Sequence, residues 1–98
     1  MSATTRCAEL GITLPPVPAP VADYVPAIQT GSQILTSGQL PFVDGELTAV
    51  GKVGDAVSAE QAAEAARAAA LNAIAAVADV AGGLDAIKRI VRVVVFVN

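Results

Sequence analysis

Two short runs rich in β-branched and apolar residues open the patterned part of the chain. They are "YVPAIQT" (24–30) and "QILTSGQ" (33–39), and Gly31-Ser32 separates them. Two such runs joined by a two-residue link that contains glycine are typical of a β-hairpin. A third run, "GELTAVG" (45–51), follows a turn at Asp44-Gly45 and predicts a short third strand.

The longest pattern in the chain has the period of an α-helix. Ser58 with Gln61 three residues later forms a capping-box signature, and Gly82-Gly83 ends the run. Leu71 and Ile74 recur on one face, beside several alanines. This face predicts a helix whose small side chains let it lie close to a sheet.

The last segment, "IKRIVRVVVFVN" (87–98), is dominated by β-branched residues. Apart from Arg92 it is apolar on both faces from Ile90 to Val97, which is typical of a central strand covered on both sides. Such a strand needs a neighbour on each side, and an exposed apolar edge invites aggregation. We therefore expect the domain to be incomplete at its C-terminus, or to be completed by another chain.

Residues 1–23 differ in composition from the rest of the chain. "CAELGITLP" (7–15) predicts a short helical turn ended by Gly11, and "PPVPAP" (15–20) favours an extended, polyproline-like path. The sequence is therefore divided into an extended, Pro-rich lead-in at residues 1–23 and a domain at residues 24–98.

Composition excludes several classes of function. The chain has 98 residues, a net charge of −3 and no histidine, and Cys7 is its one cysteine. A Ser-His-Asp triad, a Cys-His pair and the usual transition-metal sites are thereby excluded, and the acidic balance argues against a nucleic-acid partner. The N-terminus does not resemble a signal peptide, and no apolar run approaches the roughly 20 residues that span a bilayer. We expect a cytoplasmic protein with no membrane partner.

The stretch "ILTSGQLP" (34–41) raises the question of function, because its apolar run stops at Ser37, Gly38 and Gln39. One interpretation is ordinary strand termination, since serine and glycine are common at such ends. The other is the lip of a pocket, where a glycine lets the backbone approach a ligand and the Ser37 hydroxyl or nearby N–H groups donate hydrogen bonds. The residues alone favour strand termination.

Three segments together resemble the RidA/YjgF family, also called endoribonuclease L-PSP-like proteins: "YVPAIQTGSQILTSGQLP" (24–41), "ELTAVGKVG" (46–54) and "AARAAALNAIAAVADVAGGLDAIKRIVRVVVFVN" (65–98). The longer lead "LGITLPPVPAP" (10–20) is more similar to a divergent branch of that family. The resemblance implies a chorismate-mutase-like α+β fold with a mixed β-sheet and helices packed on one face. Here it would consist of a hairpin, a short strand, one long helix and a long strand, assembled as a homotrimer.

The resemblance also implies an activity and a site. Active members hydrolyse reactive imines and enamines, such as 2-iminopropionate, to 2-keto acids and ammonia, without a metal or organic cofactor. Their clefts lie between subunits, and by resemblance Ser37, Gly38 and Gln39 bind a small carboxylic acid or imine there, with Tyr24 as a cleft wall. Asp23-Tyr24-Val25 departs from the family's Pro-Tyr-Ser. The family's carboxylate-binding arginine lies in a C-terminal third beyond the strand that matches Ile90–Val97, so no residue is assigned as catalytic.

Alternatives stay open for function and for single residues. A non-catalytic metabolite-binding protein on the same trimeric scaffold is the second hypothesis, and an endoribonuclease is the third. For Tyr24, a buried amphipathic residue at a strand start is an equal alternative to a cleft wall. Asn72, locally unfavourable in an alanine-rich helix, is expected to tie the helix to the sheet or to a loop. Arg92 is left out of the site, and the natural ligand is not determined.

Overall fold

The computed structural model describes residues 2–17 and 25–98. Within them lie two α-helices, four short strands and a 3-10 turn, so the α+β class is confirmed. In chain order they are α1 (Ala3–Glu9), β1 (Ala27–Thr30), β2 (Gln33–Thr36), β3 (Phe42–Val43), β4 (Glu46–Leu47), α2 (Ala59–Ala81) and the 3-10 turn (Leu84–Ala86).

The first predicted hairpin is confirmed. Strands β1 and β2 pair antiparallel, with Ala27 opposite Thr36 and Thr30 opposite Gln33. Gly31 adopts a φ of 60° at the turn between them. That value lies in the left-handed region, which glycine enters without the steric cost that a side chain would carry.

The predicted third strand is shorter than expected and belongs to a second hairpin. Strand β4 covers only Glu46–Leu47, and it pairs antiparallel with β3. Asp44 and Gly45 both have positive φ, 52° and 82°, as a tight two-residue hairpin turn requires. The Asp-Gly turn joins two strands, whereas the sequence pattern had indicated only the second.

Helix α2 begins and ends where its capping residues predict. The Ser58 hydroxyl accepts a hydrogen bond from the Gln61 N–H at 3.2 Å, and the Gln61 carboxamide oxygen accepts one from the Ser58 N–H at 2.8 Å. At the other end Gly82 has a φ of 89° and its N–H donates to the Ala78 carbonyl. The capping box satisfies two N–H groups that the first turn would otherwise leave without partners.

Removing the capping hydroxyl should therefore cost measurable stability. We expect Ser58→Ala to lower the free energy of unfolding by about 1 kcal/mol, the usual cost of losing an N-cap side chain. Ser32→Ala is the matched control, because Ser32 lies exposed in the first hairpin turn. Chemical denaturation of both variants checks the expectation, and equal stability of the two would contradict the role of the cap.

The buried face of α2 is centred on small side chains and one amide. Asn72, Ala75 and Ala76 are its buried residues, whereas Leu71 and Ile74, which the periodicity had placed on the core face, are only half-buried. The helix packs against β1, β2 and β3. Alanine at the contact lets the hairpin approach the helix closely, and this shifts the buried stripe from the larger residues to the smaller ones.

A larger side chain on this face should not fit. Ala76 is 1 % exposed, and we expect Ala76→Leu to lower the free energy of unfolding by about 1–3 kcal/mol through overpacking. Ala70→Leu is the matched control, because it makes the same substitution at an exposed position of the same helix. There the free energy of unfolding should change by no more than about 0.5 kcal/mol. Thermal unfolding of the two variants tests the packing, and similar losses in both would contradict it.

The predicted long C-terminal strand is not formed in the described part of the chain. Residues 87–98 have no regular secondary structure, and seven large apolar residues in them are exposed, up to 93 % at Phe96. The Asn98 carbonyl accepts a hydrogen bond from the Val53 N–H at 2.9 Å. Among the described residues β1 and β2 pair only with each other, and the segment pairs with neither of them.

The expected mixed sheet is likewise replaced, in the described residues, by two separate two-stranded antiparallel sheets. Parallel pairing there is confined to an isolated bridge between Val53 and Val57. The same turn contains Gly51, whose φ is 132° and where an added Cβ would lie 2.7 Å from the Ala56 Cβ. A side chain at position 51 would therefore disturb the approach to α2.

The N-terminal lead-in starts as a helix and not as extended chain. Helix α1 carries Ser2 as its N-cap, and the Thr4 N–H donates to the Asp85 carboxylate at 2.9 Å, which joins α1 to the 3-10 turn. Gly11, with a φ of 69°, follows the helix as predicted. Part of the predicted polyproline stretch, residues 18–20, lies outside the described residues. No helix among those described has the length and apolarity that a membrane span requires.

Candidate functional site

The lip, defined as Ser37, Gly38 and Gln39, directly follows strand β2. The Ser37 N–H donates to the Pro26 carbonyl at 2.9 Å, and the Ser37 hydroxyl donates to the same oxygen at 3.2 Å. Both donors of Ser37 are therefore used inside the chain. The expectation that this hydroxyl donates to a ligand does not fit this arrangement, although its oxygen can still accept a hydrogen bond.

Gln39 lies next to the same hydroxyl. Its carboxamide nitrogen approaches the Ser37 oxygen at 3.5 Å, at the long end of hydrogen-bond geometry. Both Gln39 and Ser37 are half-buried, whereas Gly38 between them is exposed. A long hydrogen bond therefore links the two polar side chains of the lip, and the glycine backbone stays accessible.

Within the described part of the chain, neither the backbone conformation nor the packing requires a glycine at position 38. Gly38 is not among the residues with positive φ, and a Cβ added to it would meet no described atom within 4 Å. Gly31 and Gly51 differ, because their positive φ values disfavour a side chain. An open, bare backbone at Gly38 allows a ligand or another chain to come close.

The chain turns sharply just after the lip. The Phe42 N–H donates to the Leu40 carbonyl at 2.8 Å, which closes a three-residue turn around Pro41. The Pro41 carbonyl accepts hydrogen bonds from the Thr48 N–H and from the Thr48 hydroxyl, both at 3.0 Å. The turn is thus bound to the second hairpin.

Asn72 joins this turn to helix α2. Its side-chain nitrogen donates to the Leu40 carbonyl at 3.1 Å and to the Phe42 carbonyl at 3.0 Å. The side chain is 1 % exposed, and burial without such partners would be costly. The prediction that this amide ties the helix to a loop is confirmed.

The remaining predicted site residue, Tyr24, lies outside the described residues, and its place in the cleft stays a prediction. Arg92 is exposed on segment 87–98. Within the described ranges no three His, Cys, Asp or Glu side chains are grouped so that they could hold a metal ion. The structure therefore brings together three of the four predicted site residues, which are consecutive in the chain.

A cavity that the sequence did not indicate lies away from the lip. It is a depression open to solvent, with a volume of about 410 Å³, and it is lined by α1, the residues that follow it and the 3-10 turn. Its lining includes Cys7, Ile12, Leu14 and Leu84. Because it depends on the docking of α1 against the 3-10 turn, no local sequence signal could have revealed it.

Comparison with known proteins identifies the family. The family described as "YjgF/chorismate mutase-like, putative endoribonuclease" matches residues 4–98. The chain belongs to this family. A crystal structure described as that of "a putative endoribonuclease" from Shewanella oneidensis MR-1 superposes with a TM-score of 0.79 at 36 % identity, covering 86 % of this chain and 56 % of that one. The YjgF-like, chorismate-mutase-like fold is thereby confirmed.

Two further relatives agree with this assignment. The protein Atu1372 of Agrobacterium tumefaciens, described as having unknown function, has a TM-score of 0.66 and 37 % identity over 81 % of this chain and 46 % of its own. "Protein TCP17" of Trypanosoma cruzi is 39 % identical over 89 residues, which are 91 % of this chain and 56 % of that protein. The chain thus spans about half the length of the relatives it matches.

Proposed function

We propose that this YjgF-like chain is a RidA-like deaminase that hydrolyses small reactive 2-imino acids to 2-keto acids and ammonia. The observation that carries the proposal is the lip, a three-residue backbone segment held at both ends, with an open glycine between them. A segment that is fixed before the ligand arrives loses little conformational freedom on binding. Membership of the family supports the choice of a small imino acid as the ligand.

The reaction requires orientation more than a reactive side chain. Water adds to the imine carbon, the C–N bond breaks, ammonia leaves, and the carbon keeps the oxygen as a carbonyl. The lip would hold the imino acid in place for this attack, with the bare backbone at Gly38 in closest approach. The carboxylate-binding arginine that the resemblance implies matches no position among residues 1–98, and the role that we propose for the lip is to position the substrate.

The deaminase proposal is tested by generating 2-iminopropionate in the presence of the purified chain and following its decay. We expect decay faster than in buffer, with pyruvate and ammonia as products, and a return towards the buffer rate in Gly38→Ala. Decay at the buffer rate, at every concentration of the chain, would contradict turnover.

A binding protein without turnover is the second candidate. The observation in its favour is that both donors of Ser37 are already bonded to the Pro26 carbonyl, which leaves the lip fewer groups to stabilise a reacting atom. This candidate predicts that pyruvate raises the thermal midpoint while 2-iminopropionate decays no faster than in buffer, because a ligand that binds only the folded state stabilises it. No shift with any small 2-keto acid would count against it.

Endoribonuclease activity is the last candidate and rests on the description of the family. The chain has no histidine, the commonest acid–base group in catalysis, and its net charge of −3 opposes binding to the RNA phosphates. We expect a single-stranded RNA to stay intact during prolonged incubation. RNA cleavage that co-purifies with the chain and disappears in Gly38→Ala would instead place the endoribonuclease first among the three candidate functions.

We further propose a cytoplasmic homotrimer with its ligand clefts between subunits. Two exposed apolar features support an assembly: the run Ile90–Val97, and the directly paired Ile28 and Leu35 on the first hairpin, which are 59 % and 55 % exposed. Burying such surfaces is the main favourable term in association. Light scattering should give about 29 kDa for three chains of 9.8 kDa each, and a concentration-independent monomer would contradict it.

A further inference from the structure

We infer that Asn72 is the positioning residue of the lip, although it lies on a helix and its described hydrogen bonds go to Leu40 and Phe42 and not to the lip residues. This inference rests on the proposed function only where ligand binding is the readout. It is based on the hydrogen bonds that hold the chain at both ends of the lip. It is also based on the contrast between the buried side chain of Asn72 and the exposed backbone of Gly38.

The first end of the lip is fastened locally. Ser37 is bonded through its N–H and its hydroxyl to the Pro26 carbonyl, one pair beyond the last residues of the β1–β2 ladder. A backbone bond that continues a ladder depends on the hairpin itself. This end therefore needs no contribution from the helix.

The second end is fastened by Asn72. Its amide uses both protons, one on the Leu40 carbonyl and one on the Phe42 carbonyl, and thereby holds both sides of the turn around Pro41. Leu40 is also the residue directly after Gln39. Fixing the Leu40 carbonyl consequently fixes the direction in which the chain leaves the lip.

The helix that carries Asn72 is a firm support. It extends over 23 residues with both ends capped, and Asn72 is one of its three buried residues, with Ala75 and Ala76. Only three residues separate Leu40 from the end of the hairpin ladder at Thr36. Because this connection is short, a displacement of the turn should also displace the backbone of Gly38. Loss of the amide should thus free the lip even though the lip's own residues are unchanged.

The direct test is the mobility of the Gly38 N–H in the 15N-labelled 98-residue chain. In the unsubstituted protein we expect an order parameter of about 0.85, and in Asn72→Ala a value below about 0.6, the range of flexible backbone. Gly31 and Gly45, in the turns of the two hairpins, should keep their values. An unchanged Gly38 in folded Asn72→Ala would overturn the inference.

Thr48→Val is the matched control. It removes a hydroxyl bond to the same turn, but that bond is exposed and the Thr48 N–H still holds the Pro41 carbonyl. We expect its Gly38 order parameter to equal that of the unsubstituted chain. Equal loosening in both variants would overturn a special role for Asn72, since any weakening of the turn would then suffice.

Ligand binding separates this inference from the proposed function. If the unsubstituted chain binds pyruvate, we expect about tenfold weaker binding in Asn72→Ala and no change in Thr48→Val, because a lip that must be ordered on binding lowers affinity. If no form binds pyruvate, the proposed function fails, while the Gly38 mobility still decides the role of Asn72.

A measurement on the unsubstituted chain serves if Asn72→Ala does not fold. The two side-chain amide protons of Asn72 should then exchange with solvent at least tenfold more slowly than those of exposed Asn98, since both are donated to carbonyls in a buried position. Exchange as rapid as that of Asn98 would overturn the inference.

Discussion

Replacing Gly38 with alanine should weaken the binding of pyruvate at least tenfold while it leaves the fold intact. The free energy of unfolding should stay within about 0.5 kcal/mol of the unsubstituted value, as for other surface substitutions. The physical reason is that the described structure uses neither a positive φ nor a close internal contact at this position. The added methyl group would instead occupy the space through which a ligand approaches the backbone.

Gly31→Ala is the matched control for this result and should show the opposite pattern. Gly31 has a φ of 60° in the first hairpin turn, so a side chain there should cost about 1–2 kcal/mol of stability. Pyruvate binding by the folded fraction should be unchanged. Calorimetric titration and chemical denaturation of both variants give the two readouts. Unchanged pyruvate binding in Gly38→Ala would remove the lip from the proposed site.

The second large effect is expected on stability, from Asn72→Ala. Two part-buried carbonyls lose the amide as a donor. The Leu40 carbonyl keeps its bond from the Phe42 N–H, so only the Phe42 carbonyl is left unsatisfied, at about 1–3 kcal/mol. The higher helix propensity of alanine returns about 0.7 kcal/mol, so we expect a net loss of about 0.5–2 kcal/mol.

Chemical denaturation measures that loss, with Gln33→Ala as the control. Gln33 is exposed at the start of β2, and truncating its side chain should change stability by no more than about 0.5 kcal/mol. A loss in Asn72→Ala no larger than that in Gln33→Ala would mean that water or a nearby group replaces the amide. The turn would then be held chiefly by its own backbone bond and by Thr48.

Local chemistry made much of the fold predictable. The capping box at Ser58 and Gln61 and the stop at Gly82 are defined by neighbouring residues, and the structure reproduces both. The Gly31-Ser32 turn is equally local, and it fixes the register of the first hairpin. These features need no knowledge of distant contacts, which is why sequence patterns identify them.

Features that depend on distant partners were predicted less well. The run Ile90–Val97 has the composition of a central strand, yet it pairs with no strand among the described residues, because strand preference depends on the surrounding packing and not on composition alone. The buried stripe on α2 shifted towards Asn72 and Ala76 because the approach of the hairpin, and not side-chain size, determines which face is covered. Neither effect can be derived from periodicity.

In the candidate site, too, features set by neighbouring residues could be predicted, and features set by distant partners could not. Ser37, Gly38 and Gln39 could be predicted as a group because they are consecutive after a strand. The use of the Ser37 hydroxyl could not, since its acceptor belongs to Pro26, eleven residues earlier. The amide of Asn72 was predictable in kind, but its two acceptors lie about 30 residues away along the chain.

The central claim is that the lip binds a small 2-keto or 2-imino acid through the exposed backbone at Gly38. The most direct measurement is the amide resonance of Gly38 during titration of the 15N-labelled chain with pyruvate. The account predicts a saturable shift at Gly38, while the turn glycines Gly31 and Gly45 stay unmoved. A Gly38 resonance that does not move, or that moves in proportion to pyruvate without saturating, would contradict it.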